Sequence, residues 1–195
     1  MGRIFITSDT HFGHDREFLY GPRGFSNIDD HDKAVIQNWN SVVQPDDTVY
    51  HLGDVMLNDN DHGMECLRQL NGTIIIVPGN HDTDTRLALY ATLPNVKVIQ
   101  SGIEGLKATS VMLKYRKYNF YLSHQPTMTS NLDADPHLRA NVLNLYGHTH
   151  QQSHFYEDRP YMFHAGLDSN NNTPVLLDDA IEMMKVEVQK CLDML

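Results

Sequence analysis

Short apolar runs separated by polar, glycine-containing turns dominate this chain. Arg3–Thr7, Thr48–His51, Thr73–Val77, Phe120–Ser123, Val142–Tyr146 and Tyr161–Ala165 are rich in Ile, Val, Tyr or Phe, as buried strands are. Between the first two, Asp29–Val43 carries Ala34, Val35, Trp39, Val42 and Val43 at a spacing that fits one helix face. Gln44-Pro45-Asp46-Asp47 then stops the helix and turns the chain. Further helices are predicted over Asp61–Leu70, ended by Asn71-Gly72, and over Asp84–Thr92, ended before Pro94. The first half therefore alternates strand and helix, which implies a largely parallel sheet with helices packed on its faces. The second half is richer in strands. Glu104–Tyr115 and Tyr118–Ser123 read as a hairpin through Arg116-Lys117, and Asp178–Leu195 reads as a terminal helix with Ile181, Met184, Val188 and Leu192 on one face. No linker, low-complexity stretch or repeat interrupts the pattern, so residues 1–195 are expected to form one α/β domain.

Composition narrows the setting. A hydrophobic content of 41% with 21% charged residues fits a globular protein, and no apolar run approaches the roughly 20 residues needed to span a bilayer. Met1-Gly2-Arg3 leads straight into Ile4-Phe5-Ile6 without the longer apolar core of a signal peptide. Cys66 and Cys191 give neither a disulfide framework nor a metal-type spacing. A reducing cytoplasm is the expected location. With 25 acidic against 15 basic residues the net charge is −10, which argues against a resident nucleic-acid partner, because phosphate backbones are held by basic surfaces. Bound dications reverse that sign locally, so a small anionic substrate stays compatible.

Twelve histidines change the picture more than the charge does. His31, His62, His137 and His154 are scattered, and His51 and His164 lie in strand-like surroundings; all six are expected to be structural. The other six belong to compact groups. Asp9-Thr10-His11, Gly53-Asp54, Gly79-Asn80-His81-Asp82, Ser123-His124 and Gly147-His148-Thr149-His150 each follow a predicted strand, with His14 just beyond the first. In open α/β folds such loops beyond the carboxyl ends of strands build ligand sites. Imidazole and carboxylate donors suit Mn, Fe, Zn, Co or Ni. Asp9, His11, Asp54, Asn80, His124, His148 and His150 are too many donors for one tetrahedral ion and suit two, with Asp54 as the natural bridge.

The order and spacing of these motifs resemble the calcineurin-like metallophosphoesterase superfamily over roughly Ile4 to Ala165, and the length resembles its compact bacterial and phage members. That resemblance implies a four-layer αββα sandwich and a dinuclear metal-dependent hydrolase. One metal is then held by Asp9, His11, Asp54 and His150, and the other by Asp54, Asn80, His124 and His148. The ions are divalent transition metals (Mn, Fe, Zn, Ni or Co), with Mn favoured for activity. It also implies that a metal-bridging hydroxide attacks phosphorus in line while His81 acts as general acid. Many phosphoprotein phosphatases of the superfamily read Gly-Asp-x-x-Asp, the second Asp orienting the acid histidine. Here Leu57 stands at that position, the Arg that often follows is missing, and Asp82 or Asp59 is left as a substitute.

His14 is expected either to touch substrate phosphate or to order its loop. Arg16 and Arg23, in the Gly- and Pro-containing segment Asp15–Ser26, are candidate phosphate-clamping cations. The leading expectation is hydrolysis of a small phosphomonoester or phosphodiester, with a nucleotide among the candidates. A nuclease or cyclic-nucleotide phosphodiesterase is the alternative within enzymes. A non-catalytic scaffold, like the retromer subunit that shares this fold with an altered metal centre, is the alternative outside them. Completeness of the ligand set separates the two classes and favours an enzyme. Oligomeric state stays open.

Overall fold

A computed structural model describes residues 2–127, 142–157 and 159–193; the expectation for His137 falls outside them. Strands β1 (Ile4–Thr7), β2 (Thr48–His51), β3 (Thr73–Ile76) and β4 (Val96–Val98) run parallel in sequence order. The second sheet has the order β5-β6-β7-β9-β8, from β5 (Ser110–Tyr115), β6 (Tyr118–Ser123), β7 (Val142–Tyr146), β8 (Phe155–Tyr156) and β9 (Arg159–His164). Within it β6, β7 and β9 are parallel, while β5 and β8 are antiparallel edges. Returning to the first sheet, β10 (Val175–Leu176) pairs antiparallel with β1.

The helices among the described residues are α1 (Glu17–Tyr20), α2 (Ile28–Val42), α3 (Asn60–Arg68), α4 (Asp84–Tyr90) and α5 (Leu177–Asp193). Three begin on side-chain caps: Asn27, Asp59 and Thr83 accept from the backbone N–H of Asp30, His62 and Arg86. Strand alternation divides the apolar residues between two cores. Phe5, Val49, Ile74 and Ile76 meet Val35 and Trp39 of α2, Leu67 of α3 and Tyr90 of α4. Ile6, Leu52 and Val77 face the opposite way and meet Phe120, Leu122, Leu145 and Phe163 of the second sheet, together with Ala180, Ile181 and Met184 of α5. Burying each large side chain here contributes about 1.5–3 kcal/mol. The α/β sandwich that the family resemblance implies is therefore the architecture observed.

Boundaries differ where local chemistry overrides pattern. The hairpin's first strand begins at Ser110 and not at Glu104, because Gly102 and Gly105 adopt φ of 68° and 77° in a turn ahead of it. Strands β4, β8 and β10, two or three residues each, are too short for alternation to register. Helix α1 holds a single turn inside the expected loop.

The first two strands are clamped by Asp47, which accepts from the backbone N–H of Arg3 at 2.7 Å, from Gln44 N–H at 2.8 Å and from the Arg3 guanidinium at 2.7 Å. Burial of the carboxyl works against ionisation, but the Arg3 contacts and the Gln44 amide outweigh it and hold Asp47 below its ordinary range. A carboxyl depressed in the folded state stabilises above its unfolded pKa of about 3.9, and that contribution is lost as pH falls through the folded value. Asp47→Asn should therefore cost about 1–3 kcal/mol in urea unfolding at pH 7, and the gap to wild type should shrink below about pH 4. A gap independent of pH would count against this clamp.

Candidate metal centre

Six strands deliver their C-terminal ends to one edge of the sandwich. Asp9 and His11 follow β1, Asp54 follows β2, Asn80 and His81 follow β3, His124 follows β6, His148 and His150 follow β7, and Asp168 follows β9. Backbone pairing continues past the regular strands into these loops: Asp9 N–H donates to Gly53 O at 3.0 Å, His11 N–H to Asp54 O at 3.1 Å, and Gly147 N–H to His124 O at 2.8 Å. A parallel bridge between Ser8 and Gly166 joins the two sheets at the same edge.

The backbone there is contorted. Asp9, His11, Asp54, His148 and His150 all have positive φ, between 48° and 71°. Such conformations cost about 1–3 kcal/mol each and persist only where surrounding contacts over-determine them. Close approach supplies those contacts. A side chain on Gly79 would strike the Asp54 carboxylate, and one on Gly147 would strike Ser8 and Asp9, so glycine is required at both.

Side chains converge accordingly. His11 Nε2 lies 3.7 Å from both Asp9 Oδ1 and Asp54 Oδ2, and His150 Nε2 lies 3.9 Å from Asp9 Oδ1. On the other side, His124 Nε2 is 3.3 Å from Asp54 Oδ2, 2.9 Å from Asn80 Oδ1 and 3.2 Å from His148 Nδ1. Asp54 stands between the two groups. Asp9 Oδ1 and His11 Nε2 are buried and have no hydrogen-bond partner. Unpartnered donor atoms of this kind are costly in a folded interior. Oxygen and nitrogen lone pairs aimed at one volume fit cations, so the residues present suit divalent metal ions.

The electrostatics agree with that reading. Burial opposes ionisation of Asp9, yet the imidazoles of His11, His124 and His150 hold its carboxyl well below the ordinary range. Burial likewise works against a charged His124, but Asp54 and Asp9 outweigh it and lift the imidazole to about 9. The two buried carboxylates thus create a cavity that seeks positive charge.

Residues around the candidate ligands hold them in place. Asp82 does not touch the His81 ring. Its carboxylate accepts from the backbone N–H groups of Asp54 (2.8 Å), Gly79 (2.8 Å) and Val55 (3.2 Å) and from the Tyr90 hydroxyl (2.9 Å). It locks the β2 and β3 loops together. Asp59 caps α3. Neither substitute for the missing carboxylate at Leu57 therefore orients His81, whose backbone N–H donates to Asp54 Oδ1 at 2.9 Å and whose half-exposed ring has Nε2 4.0 Å from Asp54 Oδ2.

Arg23 corrects the expectation of a phosphate clamp. Its guanidinium is fully buried, donating to both oxygens of Asp168 at 3.0 and 2.8 Å and to the Asp9 carbonyl at 2.8 Å, with His31 Nε2 at 3.0 Å. No part of it faces substrate space because the network absorbs its charge. Arg16 is exposed and donates to the neighbouring Asp15 carbonyl. His14 packs between His11 and Phe18, with ring centroids 5.2 and 5.7 Å away, and burial together with the neighbouring His11 and His81 pushes it down to about 4.

Asp168 was not anticipated. It sits 3.1 Å from His150 Nδ1, and despite its burial His150 and Arg23 hold its carboxyl well below the ordinary range. The available signal was Gly166-Leu167-Asp168 directly after an apolar strand, the same placement as the other motifs. His51, His164 and His154 make packing and hydrogen-bond contacts within the fold. His51 stacks on Trp39 and meets the Thr10 hydroxyl at 3.0 Å, His164 Nδ1 meets Ser169 Oγ at 2.8 Å, and His154 stacks on Phe163.

Comparison with known proteins agrees with this geometry. Residues 3–173 match the calcineurin-like phosphoesterase superfamily domain. An uncharacterized protein of Methanocaldococcus jannaschii is 31% identical over 192 residues, covering 95% of this chain and 93% of its own. The gene 66 protein of Mycobacterium phage D29 is 25% identical, covering 94% and 96%. Among solved structures, a protein of unknown function from Aquifex aeolicus shares the fold with a TM-score of 0.67 at 21% identity, covering 94% of this chain and all of that one. The chain belongs to the calcineurin-like phosphoesterase superfamily.

Proposed function

We propose that the protein is a dinuclear metal-dependent hydrolase of small phosphoesters. Superfamily membership supports phosphoester hydrolysis in general. The observation that carries the finer reading is the pair of donor groups sharing Asp54, with buried unpartnered atoms of Asp9 and His11 at their centre. Asp9, His11, Asp54 and His150 hold one ion; Asp54, Asn80, His124 and His148 hold the other. When bound, the ions supply an activated water and neutralise charge on the phosphoryl oxygens.

The chain's own residues do the rest. His81 lies beside the donor groups with its ring half-exposed, open to a leaving group, and its Nε2 is 4.0 Å from Asp54 Oδ2. It donates a proton to the departing alkoxide oxygen. Asp168, fixed by Arg23, orients His150 through Nδ1 and leaves Nε2 directed at Asp9. Arg16, exposed, and His14, packed against His11, are candidates for steering phosphate. The net charge of −10 disfavours long nucleic acids and favours small substrates, with nucleotides the first class to test. Among the described residues no helix is long and apolar enough to cross a membrane.

The direct test is hydrolysis of an aryl phosphomonoester and the matching diester with added Mn, followed by a nucleotide panel. Chelator-treated protein should be inactive and recover with about two equivalents of metal per chain; full activity in metal-free, folded protein would overturn the proposal. Asp54→Asn should lower metal content at both positions and reduce turnover by more than about 100-fold. His81→Ala should keep the metals and lose about 100-fold or more on substrates with poor leaving groups, much less on good ones. Equal losses on both would remove His81 from the acid role. Asp168→Ala should weaken metal binding by about 10–100-fold in an equilibrium titration while leaving the ligand set intact.

A further inference from the structure

Behind the Gly13 turn, on the side facing α2 and α3, lies a second group of donor atoms. Asp32 of α2 and His62 and Cys66 of α3 present a carboxylate oxygen, an imidazole nitrogen and a sulfur that all lie within 4.8 Å of one another. His62 and Cys66 are four residues apart and therefore share one helix face. The separations are 2.8 Å from His62 Nε2 to Asp32 Oδ2 and 3.4 Å from His62 Nε2 to Cys66 Sγ. A tetrahedral zinc ion needs about 3.4 Å between nitrogen and oxygen ligands and about 3.6 Å between nitrogen and sulfur ligands. Small side-chain shifts reach those values.

Two features favour a cation over a simple hydrogen-bond cluster. A single Nε2 proton can be directed at the carboxylate or at the sulfur, whereas an ion between the three serves all of them at once. The carboxylate is also supported as metal-bound carboxylates are: Asp32 Oδ1 pairs with His31 Nδ1 at 2.8 Å, and Oδ2 accepts from Gly13 N–H at 2.9 Å. Asp32 and Cys66 are buried, while the His62 side chain is 40% exposed and provides the access route.

We infer that Asp32, His62 and Cys66 form a third metal site, separate from the paired centre, for a borderline-soft dication of the zinc class with water completing the coordination. Sulfur, nitrogen and carboxylate donors together select such an ion over magnesium or calcium. Binding releases the Cys66 thiol proton and shifts the His62 proton from Nε2 to Nδ1. Burial, followed by the carboxylates of Asp32, Glu65 and Asp29, pushes the free thiol up to about 12, so the thiolate forms only when the ion displaces the proton. The ion ties α2 to α3 beneath the turn that carries His11 and His14, through the Gly13–Asp32 bond.

Cobalt(II) titration of the chelator-treated full chain tests this, because the paired centre has only oxygen and nitrogen donors and cannot give a thiolate-to-cobalt charge-transfer band. The band should appear in wild type, reach the intensity of about one thiolate–cobalt site per chain once the paired centre is also filled, persist in Cys191→Ser and vanish in Cys66→Ser. It should also persist in Asp54→Asn, so its fate is independent of the two-metal function proposed above. His62→Asn leaves the buried thiol in place and should weaken the cobalt affinity read from the band by about tenfold or more. Absence of the band in metal-loaded wild type, its survival in Cys66→Ser, or its loss in Cys191→Ser would overturn the site.

Discussion

Asp9, Asp54, Asp82 and Asp168 lie buried at one end of the two sheets, and a carboxylate withdrawn from water costs several kcal/mol unless donors or cations meet its charge. Each is answered differently. Asp82 is satisfied by three backbone amides and a tyrosine hydroxyl, Asp168 by a buried guanidinium and an imidazole, and Asp9 and Asp54 by a ring of histidines with atoms to spare. The first two solutions fix the scaffold. The last leaves negative charge that divalent cations would complete. Structural and functional carboxylates are thus sorted by whether the protein itself supplies enough donors.

That sorting depends on short distances between loops from different strands. Glycines at 79 and 147 allow the close approach, and five candidate ligands (Asp9, His11, Asp54, His148 and His150) have left-handed backbone. Strain at these positions is offset by the pairing that continues from each strand into its loop. The backbone hydrogen bonds that extend from the strands fix these loops, which suits a site that would be formed before any ion binds.

Much of this was legible in the sequence because the ligand motifs are local. Gly-Asn-His-Asp and Gly-His-x-His announce themselves by residue type and by the strands before them, and Phe5 and Ile6 divide between two cores by simple alternation. What escaped was relational. Arg23 reads as a surface cation in a glycine-containing loop, and only the fold sets it against Asp168, 145 residues away. Asp82 reads as part of a catalytic motif, yet its partners are amides of the neighbouring loop and a hydroxyl from α4. Edge strands such as β10 are too brief to show a period, and they form because β1 offers an unpaired edge.

The bridge between Ser8 and Gly166 has a consequence for how the molecule loosens. Asp9 and Asp54 come from one sheet, and His124, His148 and His150 from the other, so ions held at this edge would act as rivets across the seam. Emptying the centre would leave that bridge, the His148 N–H bond to Asp9 Oδ2 (2.9 Å), the contact of His124 Nδ1 with Leu52 O (2.7 Å) and the Arg23–Asp168 ion pair to hold that seam. Loss of metal would therefore loosen this polar end of the sandwich before the apolar Trp39 core behind the first sheet.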